Sequence, residues 1–400
     1  MPDSSFLPHL PLPASPLALF GLLLIAGMAG GELVRRVLRA PRIVGYVLTG
    51  MLLGAGGLGL LDEKLLGETW IFVDIALGLI LYELGLKLDF SWLKRDRWLL
   101  ATGIAESALS FVFIYCALAY FGVGSLYAAV AAAIGVATSP AVVMLVAQEL
   151  KAEGQVTERA LNLTAINSVV AFVLVTMLLS WIHHEYRAGW GLAVLHPVYL
   201  FGGSLVLGYA AFMAALWLSQ WLGKHAERQF VLVLAIIIAA IGLARMLQLS
   251  VLIALLAFGV FARNLDERHD LAAVDLSRVG QLFFVVLFVV TGARLQIYEL
   301  LAGGALAAAY ILSRFAGKSI AIMCFARFSG VRPGTAGLLC LALTPMSGMA
   351  MAMVHGTADL YPEFLARLST IVLSAVIVLE IAGPIAVQFA FTRAGEGREP

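Results

Sequence analysis

Two long apolar stretches of this chain are interrupted near their middles in the same way. The first break is Ala137-Thr138-Ser139-Pro140 and the second is Thr344-Pro345-Met346-Ser347-Gly348; the two prolines lie 205 residues apart, about half of the 400-residue chain. Proline has no N–H and clashes with the carbonyl four residues back, so it breaks or kinks a helix. Inside a bilayer the freed backbone groups must be satisfied by protein, water or an ion. Interrupted spans at matching places in two halves point to the binding site of a secondary transporter.

The rest of the chain makes a membrane setting the only workable one. Hydrophobic residues make up 62% and charged residues 13%, with a mean hydropathy of +0.96, against about 25% charged residues in an average soluble chain. The net charge of +1 gives no reason to expect a nucleic-acid partner. A crossing needs about 20 mostly apolar residues. Thirteen stretches qualify: 17–34, 43–61, 69–87, 98–121, 125–148, 160–182, 196–222, 229–246, 249–263 (short, and open to a re-entrant reading), 279–298, 300–326, 334–355 and 367–392. The first is not expected to be a signal peptide, because it lacks a basic leader and arginines follow it in place of a cleavage site.

Thirteen spans fix which loops share a side. Eighteen of the 26 Lys and Arg then fall on one side and only Lys64, Arg187 and Arg367 on the other; Lys87, Arg245, Arg294, Arg314 and Lys318 sit within or at the ends of spans. The positive-inside rule places the N-terminal segment 1–16 outside and the tail 393–400 in the cytoplasm, as expected of a multi-pass protein of the cell membrane.

With span seven (196–222) as a linker, the halves 17–182 and 229–392 align. Span 5 pairs with span 12, the two broken helices, and span 3, ending Gly85-Leu86-Lys87-Leu88, pairs with span 10, ending Gly292-Ala293-Arg294-Leu295, at an offset of 207 residues. Seven spans separate each pair, so partners run in opposite directions, as in an inverted-topology repeat. The expected fold is therefore an all-α polytopic bundle with two crossed broken helices. Each break exposes half-helix carbonyls that suit a cation and N–H groups that suit an anion. Hydroxyls of Thr138, Ser139, Thr344 and Ser347 add oxygen ligands. Cys116, Cys324 and Cys340 show no metal-ligand spacing and are expected as small core residues. No metal or cofactor is implied.

These features resemble the monovalent cation:proton antiporter superfamily, in its sodium/proton and Kef-type potassium/proton branch. The likeness spans roughly residues 17–392. It rests on Gly45-Tyr46-Val47-Leu48-Thr49-Gly50 with Gly54, on Leu81-Tyr82-Glu83-Leu84-Gly85-Leu86-Lys87-Leu88-Asp89, on the two breaks, and on Arg314-Phe315-Ala316-Gly317-Lys318. The resemblance implies exchange of a monovalent cation for protons by alternating access, in a lipid bilayer and usually as a homodimer. It also implies an Asp on span 6 that binds cation and proton in competition. Here that motif reads Asn167-Ser168: Asn167 matches, but a serine stands where the Asp belongs. A serine hydroxyl ligates a cation but does not titrate near neutral pH.

Other intramembrane charges become candidates for the missing carrier. Glu380, near the middle of span 13, is the foremost, either as a proton carrier or as the partner of a lysine; Glu106 on span 4 is another. Lys318 and Arg314 lie four apart on one face of span 11. Lys318 is a carrier, a cap on half-helix carbonyls or a partner of Glu380, whereas Arg314 can only be structural or electrostatic. His183, His184 and His355 are either pH sensors or ordinary loop residues. Alternatives to antiport are a uniporter, a symporter or an anion carrier on the same fold, or a non-transporting paralogue or sensor. An enzyme is not expected: there is no H-E-x-x-H motif, and Ser347 with His355 has no oxyanion-hole pattern beside it.

Overall fold

The computed structural model describes residues 15–61, 63–91, 96–186, 190–223, 225–266, 271, 276–346, 348–351, 353–354 and 368–397. Ser347 and His355 lie outside the described residues, as do the side chains of His183 and His184. Among the described residues every regular element is helical, which satisfies each backbone group within its own segment. In chain order the helices are α1 (Pro16–Leu38), α2 (Arg42–Leu53), the short α3 (Glu63–Glu68), α4 (Trp70–Lys87), α5 (Arg97–Tyr120), α6 (Ser125–Val136), α7 (Pro140–Leu150) and α8 (Gln155–Tyr186). There follow α9 (Trp190–Leu222), α10 (Ala226–Met246), α11 (Val251–Leu265), α12 (Ser277–Arg294), α13 (Ile297–Ala326), α14 (Pro333–Ala342) and α15 (Ser374–Arg393). Among the described residues, eight stretches are long and apolar enough to cross a membrane, and four shorter apolar helices accompany them.

Two expected spans differ in form. Residues 43–61 are helical only to Leu53, because Gly54 caps α2 and the following turn folds back, with Leu58 N–H bonded to the Leu52 carbonyl at 2.7 Å. The 249–263 stretch becomes one continuous 15-residue helix, α11 (Val251–Leu265), started by the Ser250 hydroxyl, which accepts from Ile253 N–H.

Burial separates a lipid-facing shell from a centre. The α1 stretch is only 22% buried, whereas the stretch through the first break, Ser125–Leu150, is 94% buried. Two glycine-seamed pairs stand beside that centre: α2 on α12 and α4 on α11. In the second, Gly85 and Gly259 face each other so closely that a Cβ on Gly259 would lie 2.9 Å from the Gly85 Cα. The most extensive helix pairing is α5 with α13. It depends on Gly317, where a Cβ would lie 2.7 Å from the Leu109 carbonyl oxygen and 2.8 Å from the Ser110 Cα.

Both breaks are open backbone. Ala137 is extended (φ −62°, ψ 137°), and Ser139 and Pro140 restart the helix as N-cap and first residue, the positions these residue types favour. The second break leaves helical geometry after Ala342 and regains it at residue 348. The breaks touch: Ser139 N–H donates to the Pro345 carbonyl at 3.0 Å, and the Thr138 hydroxyl donates to the Leu343 carbonyl at 3.3 Å.

The free cysteines follow position rather than type. Cys340 is buried, but Cys116 and Cys324 are exposed on the outer faces of α5 and α13, which corrects the expectation of three core residues. A thiol on an apolar helix face is tolerated there as a small hydrophobe.

Candidate functional site

Thr138 is the hub of the crossing. Its N–H donates to Asn167 Oδ1 at 3.0 Å, and Asn167 Nδ2 donates back to the Thr138 hydroxyl at 3.0 Å and to Glu106 Oε1 at 3.2 Å. Asn167 is thus held on both sides of its amide and bridges the first break to a carboxylate on α5. Lys318, arriving from α13, forms an ion pair with the same Glu106 Oε1. Its ammonium also donates to the Val136 carbonyl at 2.9 Å and the Thr138 hydroxyl at 3.2 Å. Both members of the pair are enclosed, at 1% exposure or less. Glu106 Oε2 is buried and has no hydrogen-bond partner.

The half-helix carbonyls expected to await a cation are already engaged. Arg314 spans both breaks: Nε donates to Gly135 O at 2.8 Å, one terminal nitrogen to Thr344 O at 2.7 Å, and the other to Ala137 O at 2.8 Å and Pro345 O at 3.1 Å. Its planar fork of donors suits four carbonyls aimed from two helix ends. The Arg314 guanidinium thus lies between the carbonyl ends of the two breaks.

Ser168 follows Asn167 on α8 and lies beside the first break. Its hydroxyl donates to Thr164 O at 2.7 Å and lies 3.5 Å from Thr138 O. Ser139 caps α7 by accepting from Val142 N–H at 3.4 Å, and the half-buried Thr344 hydroxyl turns back to Cys340 O at 3.5 Å. Thr138, Asn167, Lys318 and Glu106 thus meet at one point, with Ser168 beside it; Ser139 and Thr344 serve their own half-helices.

Lys318 does not pair with Glu380, which corrects one of its expected roles. Glu380 is fully buried on α15, and among the described residues neither carboxyl oxygen has a hydrogen-bond partner. The reason is geometric: Gly317 lets α13 approach α5, so the next residue, Lys318, reaches Glu106. The remaining intramembrane acids are held near helix ends. Asp74 pairs with Arg245, Glu32 with Arg36 and Arg42, and Glu83 accepts from Gln148 at 2.9 Å.

A cavity of about 1310 Å³ opens on the side of the α4 C-terminus and the α8 N-terminus. Its wall includes Glu83, Lys87, Gln148, Glu158, Arg159 and Leu161. Leu161, Thr164 and Ser168 share a face of α8 by their spacing, so this face leads from the cavity to the crossing; the Thr164 hydroxyl on it is buried and unpartnered. Asp96 ties the start of α5 to the start of α8, capping Leu99 N–H at 3.1 Å and pairing with Arg159 at 2.6 Å.

Residues 20–392 match the family model described as sodium/hydrogen exchanger, transmembrane. The chain belongs to this family. It is therefore a multi-pass membrane protein of a transporter family whose members exchange cations for protons. The fold is similar to that of two structures of the sodium proton antiporter MjNhaP1 from Methanocaldococcus jannaschii. One aligns with a TM-score of 0.67 at 16% identity, over 96% of this chain and 98% of that one. The other gives 0.62 at 16% identity, over 95% and 97%. No curated protein sequence matches the chain.

Proposed function

We propose that this exchanger trades one monovalent cation, Na⁺ or K⁺, for a proton at the Glu106–Lys318 pair, which takes over the task of the absent span-6 carboxylate. The observation that carries the reading is the meeting of Glu106, Lys318, Asn167 and Thr138 at the broken-helix crossing. A cation enters from the cavity along the Thr164–Ser168 face of α8. It binds Glu106, with the Thr138 and Ser168 hydroxyls and the Asn167 carbonyl oxygen as further oxygen ligands. The cation displaces the Lys318 ammonium, which releases one proton and stays as a neutral amine. On the other side of the membrane Lys318 takes up a proton, pairs with Glu106 again and expels the cation. One positive charge replaces another at each step, so the pair never leaves a carboxylate buried alone, a state that costs several kcal/mol.

Alternating access would come from the inverted halves 17–182 and 229–392 about linker 196–222. Helix pairing supports this: exchanging span 2 with span 9 and span 3 with span 10 turns the α2–α12 contact into the α4–α11 contact. The basic loops place the cavity mouth and the tail in the cytoplasm and the N-terminus outside. A homodimer is part of the same reading by resemblance.

In proteoliposomes with an imposed pH gradient, adding Na⁺ or K⁺ should shift the internal pH. No response to Na⁺, K⁺ or Li⁺ from about pH 6 to about pH 9 would sink the proposal, given that unmodified carboxyl and amine groups bracket that range. One observation favours a second reading, an anion carrier: the crossing holds two cationic side chains, Arg314 and Lys318, against the paired Glu106. Flux that follows the anion and ignores the cation would select it.

A further inference from the structure

Glu380 stands apart from the machinery just described. Its side chain is fully buried, and among the described residues neither oxygen has a hydrogen-bond partner. It lies one turn before Gly383, where a Cβ would sit 2.8 Å from the Pro345 Cα of the second break. Residues three apart share a helix face, so Glu380 looks onto the same side of α15 that packs on the crossing.

The elements packed against α15 are α2, α7, α8, α13, α14 and the single π turn Ser369–Leu373. The charged side chains described on these elements are committed elsewhere. Arg314 holds four carbonyls, Lys318 holds Glu106, Arg42 pairs with Glu32 and Glu149, Glu158 with Lys87 and Arg159 with Asp96. The Tyr310 hydroxyl donates to Ala131 O at 3.0 Å, and Cys340 on α14 is directed at Ser319 O. Arg393, on α15 itself, is at the far end of the helix. No charged group among the described residues acts on Glu380.

We propose that Glu380 is a second proton-binding site, separate from the Glu106–Lys318 pair, loaded and emptied as the second broken helix moves. A lone carboxyl binds a proton unaided, whereas a hard cation needs several oxygen ligands around it. Among the described residues no polar group is within hydrogen-bond reach of the Glu380 oxygens and no cluster of three or more acids, histidines or cysteines forms, so the ligand proposed at Glu380 is the proton. Its gain converts an ionised carboxylate to a neutral acid with no other bond made or broken. A fully buried carboxyl with no donor is stable only in the neutral form; emptying it requires water to reach it, which the break next to Gly383 can admit. The inference rests on the exchange reading only for what the proton is used for.

Infrared difference spectroscopy of the full chain in liposomes reads the proton directly. The expected result is a protonated-carboxyl C=O band that disappears reversibly as pH rises from about 5 to about 10, spanning the range of perturbed carboxyls. The band should vanish in Glu380→Gln, shift in Glu380→Asp and persist in Glu106→Gln. A band that never titrates marks Glu380 as a permanently neutral structural acid and overturns the proposal, as does a titrating band untouched by either Glu380 substitution. A titrating Glu380 band in a protein that moves no cation would refute the exchange reading and leave this site standing.

Discussion

Glu106 and Glu380 are both carboxyls sealed inside the same bundle, and their surroundings are opposite. Glu106 sits where α5 and α13 press together, with an ammonium and an amide on one oxygen. Glu380 sits on α15 with no hydrogen-bond partner on either oxygen among the described residues. The sequence difference that produces this contrast is small. Gly317 removes the side chain that would hold α13 away from α5, and the lysine that follows it reaches Glu106. Two buried acids in one bundle thus meet opposite surroundings, a cation and an amide at Glu106 and no donor among the described residues at Glu380.

Removing one partner of the engaged pair should have the largest effect. Glu106→Ala leaves Lys318 buried without its counter-ion and should cost about 3–5 kcal/mol, the range for breaking a buried ion pair, visible as a lowered Tm in detergent. The double substitution Glu106→Gln with Lys318→Met should recover most of that stability and none of the exchange. If Glu106→Ala melts like the wild type, the pair is not what holds α5 to α13. Next comes the wedge. Gly317→Ala forces a methyl against the Leu109 carbonyl and should cost about 1–3 kcal/mol, as overpacking does, with slower exchange than the wild type. Glu380 should respond in the other direction. Glu380→Leu removes an unpartnered polar group and should raise stability by about 1 kcal/mol; a lowered Tm would show that its oxygens have partners in the bilayer.

The smallest effect should lie far from both carboxyls. Glu396 in the C-terminal tail accepts from Val156 N–H at 2.7 Å and Thr157 N–H at 2.8 Å, and so caps α8. Glu396→Ala should cost about 0.5–1 kcal/mol, the scale of a lost cap, and leave exchange at the Glu106–Lys318 pair intact. Loss of exchange in this variant would tie the tail to the transport cycle.

The fold was readable because its cause is local. Proline breaks a helix wherever it falls, so Pro140 and Pro345 announced the crossing, and apolar length marked the helices around it. The end of α2 was missed: the 43–61 stretch is apolar enough, but Gly54 and the glycines after it cap the helix early. The site was half readable. Thr138 and Asn167 could be placed from their motifs, and Arg314 and Lys318 could be set on one face. Their partners could not, because pairing is decided by how closely two helices approach across 212 residues of chain. Arg314 likewise meets carbonyls, which carry no side-chain signature. The usable signal for Glu106 was that α5 and α13 are the matching spans of the two halves and each carries a charge deep inside.

The proposed exchange assigns to Glu106 the work of the carboxylate that the family resemblance puts at Ser168. The direct measurement is cation-driven collapse of a pH gradient in proteoliposomes, at matched protein incorporation, for the wild type, Glu106→Gln and Glu106→Gln with Ser168→Asp. The account predicts exchange in the wild type, none in Glu106→Gln, and partial return when the carboxylate is placed back on α8. Exchange by Glu106→Gln at the wild-type rate would contradict it.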